Sequence, residues 1–307
     1  MPVSSNAMLS MVHAMLAPAR MLAYTASSPL QPLRKPRLAT HAAGLSAAEA
    51  LALLVPIVRQ AGEIGLGFVK SGAKAFVKKD ASPVTEADLA INRFLSEHLR
   101  GLSPAIGWLS EEDGDDGERL KHRQVFILDP IDGTRGFIAG NGEWAVSVGL
   151  VEDGRPLAGV LYRPTTDELF AAARGIGATR NGERLAVTSG PAEATATIAG
   201  PKPVVDLLQG DLPQIRRLPS LASLALRLAA VAEGKCDAAL AKPNACDWDI
   251  AAVDIILSEA GGRLTTLDGA DIAYNQPVPR HRTLVAAGLA RQDGLTALLR
   301  ARLPHGS

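Results

Sequence analysis

The stretch Leu128-Asp129-Pro130-Ile131-Asp132-Gly133-Thr134 follows the apolar run Val125-Phe126-Ile127 and carries two carboxylates three residues apart. The run reads as a buried strand, and carboxylates seldom sit beside one unless something positive neutralises them. Asp129 is expected to project from the strand end, with Pro130 removing a ladder donor and helping to terminate the strand. Gly133 and Thr134 then open a tight turn or helix whose free N–H groups suit an anion. Taken alone, the segment fits equally well an ordinary turn with Asp at favoured positions.

Three other acidic places bear on it. Glu111-Glu112 close the apolar run Ile106-Gly107-Trp108-Leu109, Asp88 follows Thr85 at helix-start spacing, and Asp249 sits at the head of an apolar helix running to Glu259. Each by itself reads as a solvated loop acid or a helix-start acid favoured by the dipole. Together they form a set of hard oxygen donors with no His or Cys at metal-ligand spacing, which suits Mg²⁺ or Mn²⁺ rather than zinc. Carboxylates gathered this closely repel and take up protons unless cations sit among them. Such a donor set matches metal-assisted hydrolysis of phosphate esters.

The rest of the chain supplies a frame. Ser46 and Glu49 read as a capping box, followed by Leu51, Leu54, Val55 and Val58 at helical spacing, with a kink expected at Pro56 and loosening at Gly65, Gly67 and Gly72. A second helix is expected from Thr85 towards Arg100. Strands are expected over 144–151, 157–162 and 168–173, with turns at Asp153-Gly154 and Asn181-Gly182. Helices then alternate with strands: helix 219–233, strand 237–241, helix 248–260, strands near 263–267 and 283–287, and helix 291–302. The fold class is therefore α+β followed by α/β. Residues 46–188 are expected to form an α+β domain with an antiparallel sheet and the metal site, and 189–307 an α/β domain that completes the active site.

Composition bounds the function. The 307 residues carry 32 basic and 32 acidic side chains, and a formal net charge of zero argues against a general nucleic-acid binder. Two cysteines, Cys236 and Cys246, build no disulfide framework and fit a reducing, cytoplasmic setting. Residues 1–45 stand apart: the first acid is Glu49, and all five methionines lie at or before Met21. A poorly ordered extension is expected there, with a targeting peptide and a start codon assigned too far upstream as alternatives. Pro18 and Arg20 break that apolar stretch well short of the roughly 20 residues a membrane helix needs, and no other segment is expected to span a bilayer.

With these elements in place, Asp129-Pro-Ile-Asp-Gly-Thr134 together with the segment from Trp248-Asp249 to Glu259-Ala-Gly-Gly262 resembles the two signatures of the inositol monophosphatase family. Ser82-Pro-Val-Thr-Glu-Ala-Asp88 and Leu109-Ser-Glu-Glu112 match further family elements, in the family's order. The resemblance implies a layered αβαβα sandwich and a Mg²⁺-dependent, lithium-sensitive phosphatase in which Mn²⁺ can substitute. It implies Glu111, Asp129 and the Ile131 carbonyl as ligands of a first metal. Asp129, Asp132 and Asp249 are implied for a second, and Asp88 with Glu111 for a weaker third. Gly133 and Thr134 correspond to the residues whose amides hold the phosphate, with Asp132 and Asp249 also facing the substrate, while Thr134 and Glu111 orient the attacking water and Asp88 joins them in catalysis.

Arg135-Gly136-Phe137 after the first signature looks like the 3'(2'),5'-bisphosphate nucleotidase branch, as does Lys79-Asp80 upstream. The leading expectation is removal of the 3'-phosphate from adenosine 3',5'-bisphosphate, giving AMP. Inositol 1-phosphate or histidinol phosphate is the alternative, and a non-catalytic metal or nucleotide sensor is the alternative of another class. A second substrate phosphate needs a cation, with Arg135, Arg216, Arg217, Arg227 and Lys242 as candidates. Tyr162 and Trp248 are candidates to stack a base. The expected partners are a small phosphorylated substrate and a second copy of the chain, with no nucleic acid and no membrane.

Overall fold

The computed structural model describes residues 44–78, 82–191, 195–212 and 214–302. The extension expected over 1–45 lies outside the described residues up to position 43. Gly44 and Leu45 lead into the fold: the Leu45 N–H donates to Gln124 Oε1, and Gln124 Nε2 donates to the Leu45 carbonyl, both at 2.7 Å.

Helix α1 spans Ala47–Ser71 and opens with the expected capping box between Ser46 and Glu49. It does not loosen at Gly65 or Gly67. The glycines serve close packing instead. A Cβ on Gly62 would stand 2.4 Å from the Tyr162 ring, and one on Gly65 would stand 2.5 Å from Trp144. Both glycines lie on the face turned to the sheet, with Leu51, Leu54, Val58 and Ala61. The unbroken helix is long and apolar enough to cross a membrane by length and composition, contrary to expectation; here that apolar face covers a sheet. Helix α2, Glu86–Leu95, is capped by Thr85 and runs on as a wider π turn over Ser96–Arg100. Between the helices, β1 (Ala75–Val77) and β2 (Pro83–Thr85) form a small hairpin.

The large sheet has seven strands: β3 (Ile106–Ser110), β4 (Gln124–Asp132), β5 (Ala145–Glu152), β6 (Arg155–Arg163), β7 (Glu168–Ala173), β8 (Gly177–Arg180) and β9 (Glu183–Arg184). They lie side by side in chain order, with β3 parallel to β4 and the others antiparallel. The meander was legible from its turns: Asp153-Gly154 and Asn181-Gly182 both take the positive φ that tight hairpins require. A short helix α3 (Thr134–Ala139) lies between β4 and β5.

The second sheet runs β11 (Ile215–Leu218), β10 (Ala196–Ala199), β12 (Ala238–Ala241), β16 (Leu284–Gly288), β14 (Gly262–Thr266). Strands β10, β11 and β12 are mutually parallel, whereas β16 pairs antiparallel with both β12 and β14. A further two-stranded pair joins β13 (Ala245–Cys246) to β15 (Arg280–His281). The helices are α4 (Lys202–Val205), α5 (Leu224–Ala232), α6 (Asp247–Glu259) and α7 (Leu289–Arg302). Helix α5 starts five residues later than expected, because Ser223 supplies the N-cap by accepting from the Leu226 N–H.

The layers follow from which faces are apolar. Helices α1 and α2 cover one face of the large sheet, and α5 and α6 fill the space between the two sheets. Helix α7 covers the outer face of the small sheet. The result is the αβαβα sandwich.

Candidate active site

Strand β4 carries the decisive residues differently from expectation. It does not stop at Pro130; pairing with β5 resumes at Asp132 after a register shift between Asp129 and Asp132. Proline needs no ladder donor at a bulge, so the strand continues and the bulge re-aims its carboxylates. Asp129 Oδ1 accepts the Ile131 N–H at 2.9 Å. Asp132 reaches across to the head of α5, accepting from the Ser223 hydroxyl and from the N–H groups of Leu224 (3.2 Å) and Ala225 (2.7 Å). Asp249, in the first turn of α6, accepts the Cys246 N–H at 2.7 Å.

These three carboxylates converge: their ligand oxygens lie within 4.8 Å of one another. Asp129 and Asp132 are buried and Asp249 is half-buried. Desolvation drives the Asp129 carboxyl well above the usual range, with Glu111, Asp132, Asp249 and Asp88 adding repulsion. Asp249 rises well above its usual value for the same reason, with Asp132 the leading neighbour. Asp132 is pushed up to about 6 by burial, against the stabilising bonds from Ser223, Ala225 and Leu224. Such a cluster is unfavourable in its ionised form unless a cation enters, and its donors are the hard oxygens that magnesium takes.

The other expected residues stand around this centre. Glu111 lines the same cavity, but its Oε1 accepts from Lys78 Nζ at 2.9 Å, and Glu112 Oε1 accepts from the same ammonium at 2.7 Å. Glu112 is pushed up to about 7 by burial, partly offset by Lys78. Asp88 is fully buried; its Oδ2 accepts the Thr85 N–H at 2.7 Å, and its Oδ1 lies 3.5 Å from the Thr134 hydroxyl. That hydroxyl also lies 3.2 Å from the Ile131 carbonyl oxygen. Gly133 caps α3 with φ +92°, and a Cβ there would sit 2.5 Å from the Glu143 carbonyl, so both conformation and space call for glycine.

A cavity of about 860 Å³ opens over this centre, with Glu111, Gly133, Thr134 and Asp249 in its wall. Arg135, Arg227 and Lys242 line it too, and none of the three has an ion-pair partner among the described residues. The Arg227 Nε is buried without a hydrogen-bond partner, and its guanidinium is close enough to Asp132 and Asp249 to feel both charges. Arg216 and Arg217 are exposed on edge strand β11 and do not reach the cavity. Tyr162 is also absent from the wall: its hydroxyl donates to Asp167 and Arg59 stacks over its ring. Trp248 packs against the central core. Cys236 and Cys246 are free and buried, and burial pushes both thiols up to about 12.

Sequence reasoning missed Lys78, Ser223 and Glu143. Ser223 carried a local signal, an N-cap serine before an apolar helix. Lys78 and Glu143 act through contacts with residues distant in the chain, for which no local pattern exists.

The sequence profile of the inositol monophosphatase family matches residues 46–303. The chain is 32% identical over 234 residues to a 3'(2'),5'-bisphosphate nucleotidase CysQ from Aggregatibacter actinomycetemcomitans, covering 73% of this chain and 86% of that protein. It is 37% identical over 207 residues to a histidinol-phosphatase from Mycobacterium tuberculosis, covering 62% and 77%. Among solved structures, the extragenic suppressor protein suhB from Bartonella henselae superposes with a TM-score of 0.70 at 28% identity, covering 83% of this chain and 99% of that one. With the layered fold, the converging carboxylates and a family match over most of its length, the chain belongs to the inositol monophosphatase family, a family of Mg²⁺-using phosphatases.

Proposed function

We propose that this protein is a Mg²⁺-dependent phosphomonoesterase whose preferred substrate is adenosine 3',5'-bisphosphate, which it converts to AMP and phosphate. The carrying observation is the pairing of the carboxylate cluster with three cations that lack ion-pair partners among the described residues and line one cavity. A single phosphate ester needs one anion site; the additional cations suit a second phosphate on the same molecule. The similarity to a bisphosphate nucleotidase supports the same choice.

Under this reading Asp129, Asp132 and Asp249 hold one Mg²⁺, and Asp129, Glu111 and the Ile131 carbonyl hold another. Asp88 with Glu111 takes a weaker third. Bound there, magnesium supplies charge neutralisation and Lewis acidity. The Gly133 and Thr134 amides hold the phosphoryl oxygens, where negative charge grows during in-line attack. The Thr134 hydroxyl and Glu111 orient the attacking water, and buried Asp88, beside that hydroxyl, keeps it in place. Arg227, Lys242 and Arg135 hold the distal 5'-phosphate, with Arg227 donating through its unpartnered Nε. Glu111 must leave Lys78 or share it to act as a ligand, so Lys78 serves as the counter-charge of Glu111 and Glu112 when no metal is bound.

The test is a substrate panel in Mg²⁺. Adenosine 3',5'-bisphosphate is expected to exceed inositol 1-phosphate and histidinol phosphate in kcat/KM. A preference for inositol 1-phosphate would overturn the substrate assignment. Histidinol phosphate is the second reading, favoured by the 37% identity to a histidinol-phosphatase. Phosphate release unaffected by Asp129→Asn would overturn the site itself.

A further inference from the structure

We infer that Glu143 is a positioning residue that straps two walls of the active-site cavity together and thereby sets how tightly the non-reacting part of the substrate is held. The inference rests on the phosphatase reading for its consequence, though the strap itself is a matter of geometry. One wall is the phosphate turn, Gly133-Thr134; the other is the irregular segment Ser220-Leu221-Ala222 that leads into α5. Glu143 touches both. Its backbone carbonyl lies against the turn, where a Cβ on Gly133 would come within 2.5 Å of it and one on Gly136 within 2.6 Å. Its side chain reaches the adjoining segment, which already packs on the turn (a Cβ on Gly136 would lie 3.0 Å from the Ala222 Cβ), with Oε2 accepting the Ala222 N–H at 3.0 Å across 79 residues of sequence.

The strap is anchored at its base. The Glu143 N–H donates to Asn141 Oδ1 at 3.0 Å. The preceding Gly142 carbonyl accepts from Arg163 Nε (3.0 Å) and from the Thr165 hydroxyl (3.1 Å), fixing the 141–143 turn to the end of β6. The following Trp144 is buried under α1. The adjoining segment is already held at its helix end by Asp132, which grips Ser223, Leu224 and Ala225. Glu143 adds the hold at Ala222, one residue before the cap, where the segment turns into the cavity. A carboxylate accepting a backbone N–H is a charge-assisted bond, among the stronger kinds. Losing it frees the wall without touching the carboxylate cluster, so the effect falls on substrate fit.

The experiment compares wild type, Glu143→Ala and Glu143→Gln in the full chain with Mg²⁺. KM is measured for adenosine 3',5'-bisphosphate and for p-nitrophenyl phosphate, which has neither a sugar nor a second phosphate. Amide hydrogen exchange is measured at Ala222. Glu143→Ala is expected to raise KM for the bisphosphate about tenfold, the scale of one lost charge-assisted bond, with a much smaller change for p-nitrophenyl phosphate. Exchange at Ala222 should accelerate by a similar factor. Glu143→Gln, whose amide oxygen still accepts, should lie between alanine and wild type. Unchanged Ala222 exchange in Glu143→Ala, equal KM changes for both esters, or glutamine behaving as alanine would each overturn the inference. A wild-type protein with no phosphatase activity would refute the functional reading instead, and the exchange measurement alone would then decide the strap.

Discussion

Stripping the protein of divalent ions should make its stability fall as pH rises through the weakly acidic range. The sign follows from the site. Asp129, Asp132 and Asp249 all have carboxyl pKa values raised in the folded state, first by burial and then by one another. A folded protein with raised acid pKa values binds more protons than the unfolded chain, so increasing pH destabilises it. The stability is fully present below the unfolded value near 3.8 and is lost as pH rises through the folded one. Moving Asp132 from 3.8 to about 6 costs about 3 kcal/mol once both states are ionised. Asp129 and Asp249 extend the loss to higher pH. Saturating Mg²⁺ should restore stability where the loss is greatest, by roughly 3 kcal/mol at a hundredfold excess over Kd. The assay is urea unfolding of chelator-treated protein at pH 5, 6 and 7, with and without Mg²⁺, read by tryptophan fluorescence. Asp129→Asn should flatten the pH dependence. A metal-free midpoint that is constant or rises over this range, or one that Mg²⁺ leaves unmoved, would refute the reasoning.

Two further outcomes test the account elsewhere. Arg227→Met should raise KM for adenosine 3',5'-bisphosphate by about tenfold or more, with a smaller effect on inositol 1-phosphate, because it removes a half-buried cation proposed to hold the distal phosphate; steady-state kinetics on both esters checks this. Gly65→Ala should lower stability by about 1–3 kcal/mol, because its Cβ would press into the Trp144 ring at 2.5 Å and α1 would have to move off the sheet; thermal unfolding reads the loss.

The legible parts of this protein were the local ones. Capping residues marked the starts of α1 and α2, and Asp-Gly and Asn-Gly pairs marked the hairpins, because each signal acts within a few residues. The carboxylates at 129, 132 and 249 were found because residue type and family signature coincided, and the fold brings those three together. What was misread depends on partners far along the chain. Gly65 looks like a break until Trp144 is placed against it. Pro130 looks like a strand end until the bulge opposite β5 is seen. Strands β10 and β11 were missed because β10 (Ala196–Ala199) mixes small and polar residues and β11 carries Arg216 and Arg217 towards solvent, so neither shows an apolar run. Asp132 was expected to bind metal and substrate; its further task, gripping the head of α5 some 91 residues away, has no trace in local sequence. Of the cation candidates, chain position could not separate Arg227 and Lys242 from Arg216 and Arg217; the cavity wall does.

The central claim is that the oxygens of Asp129, Asp132 and Asp249 converge because divalent ions belong among them. Anomalous diffraction from crystals grown with Mn²⁺ in place of Mg²⁺ tests it most directly. The account predicts at least one strong peak between these three side chains, with carboxylate oxygens at roughly 2.1–2.2 Å. Full occupancy of the crystal by protein with no peak there, and the three carboxylates bonded only to protein and water, would contradict it.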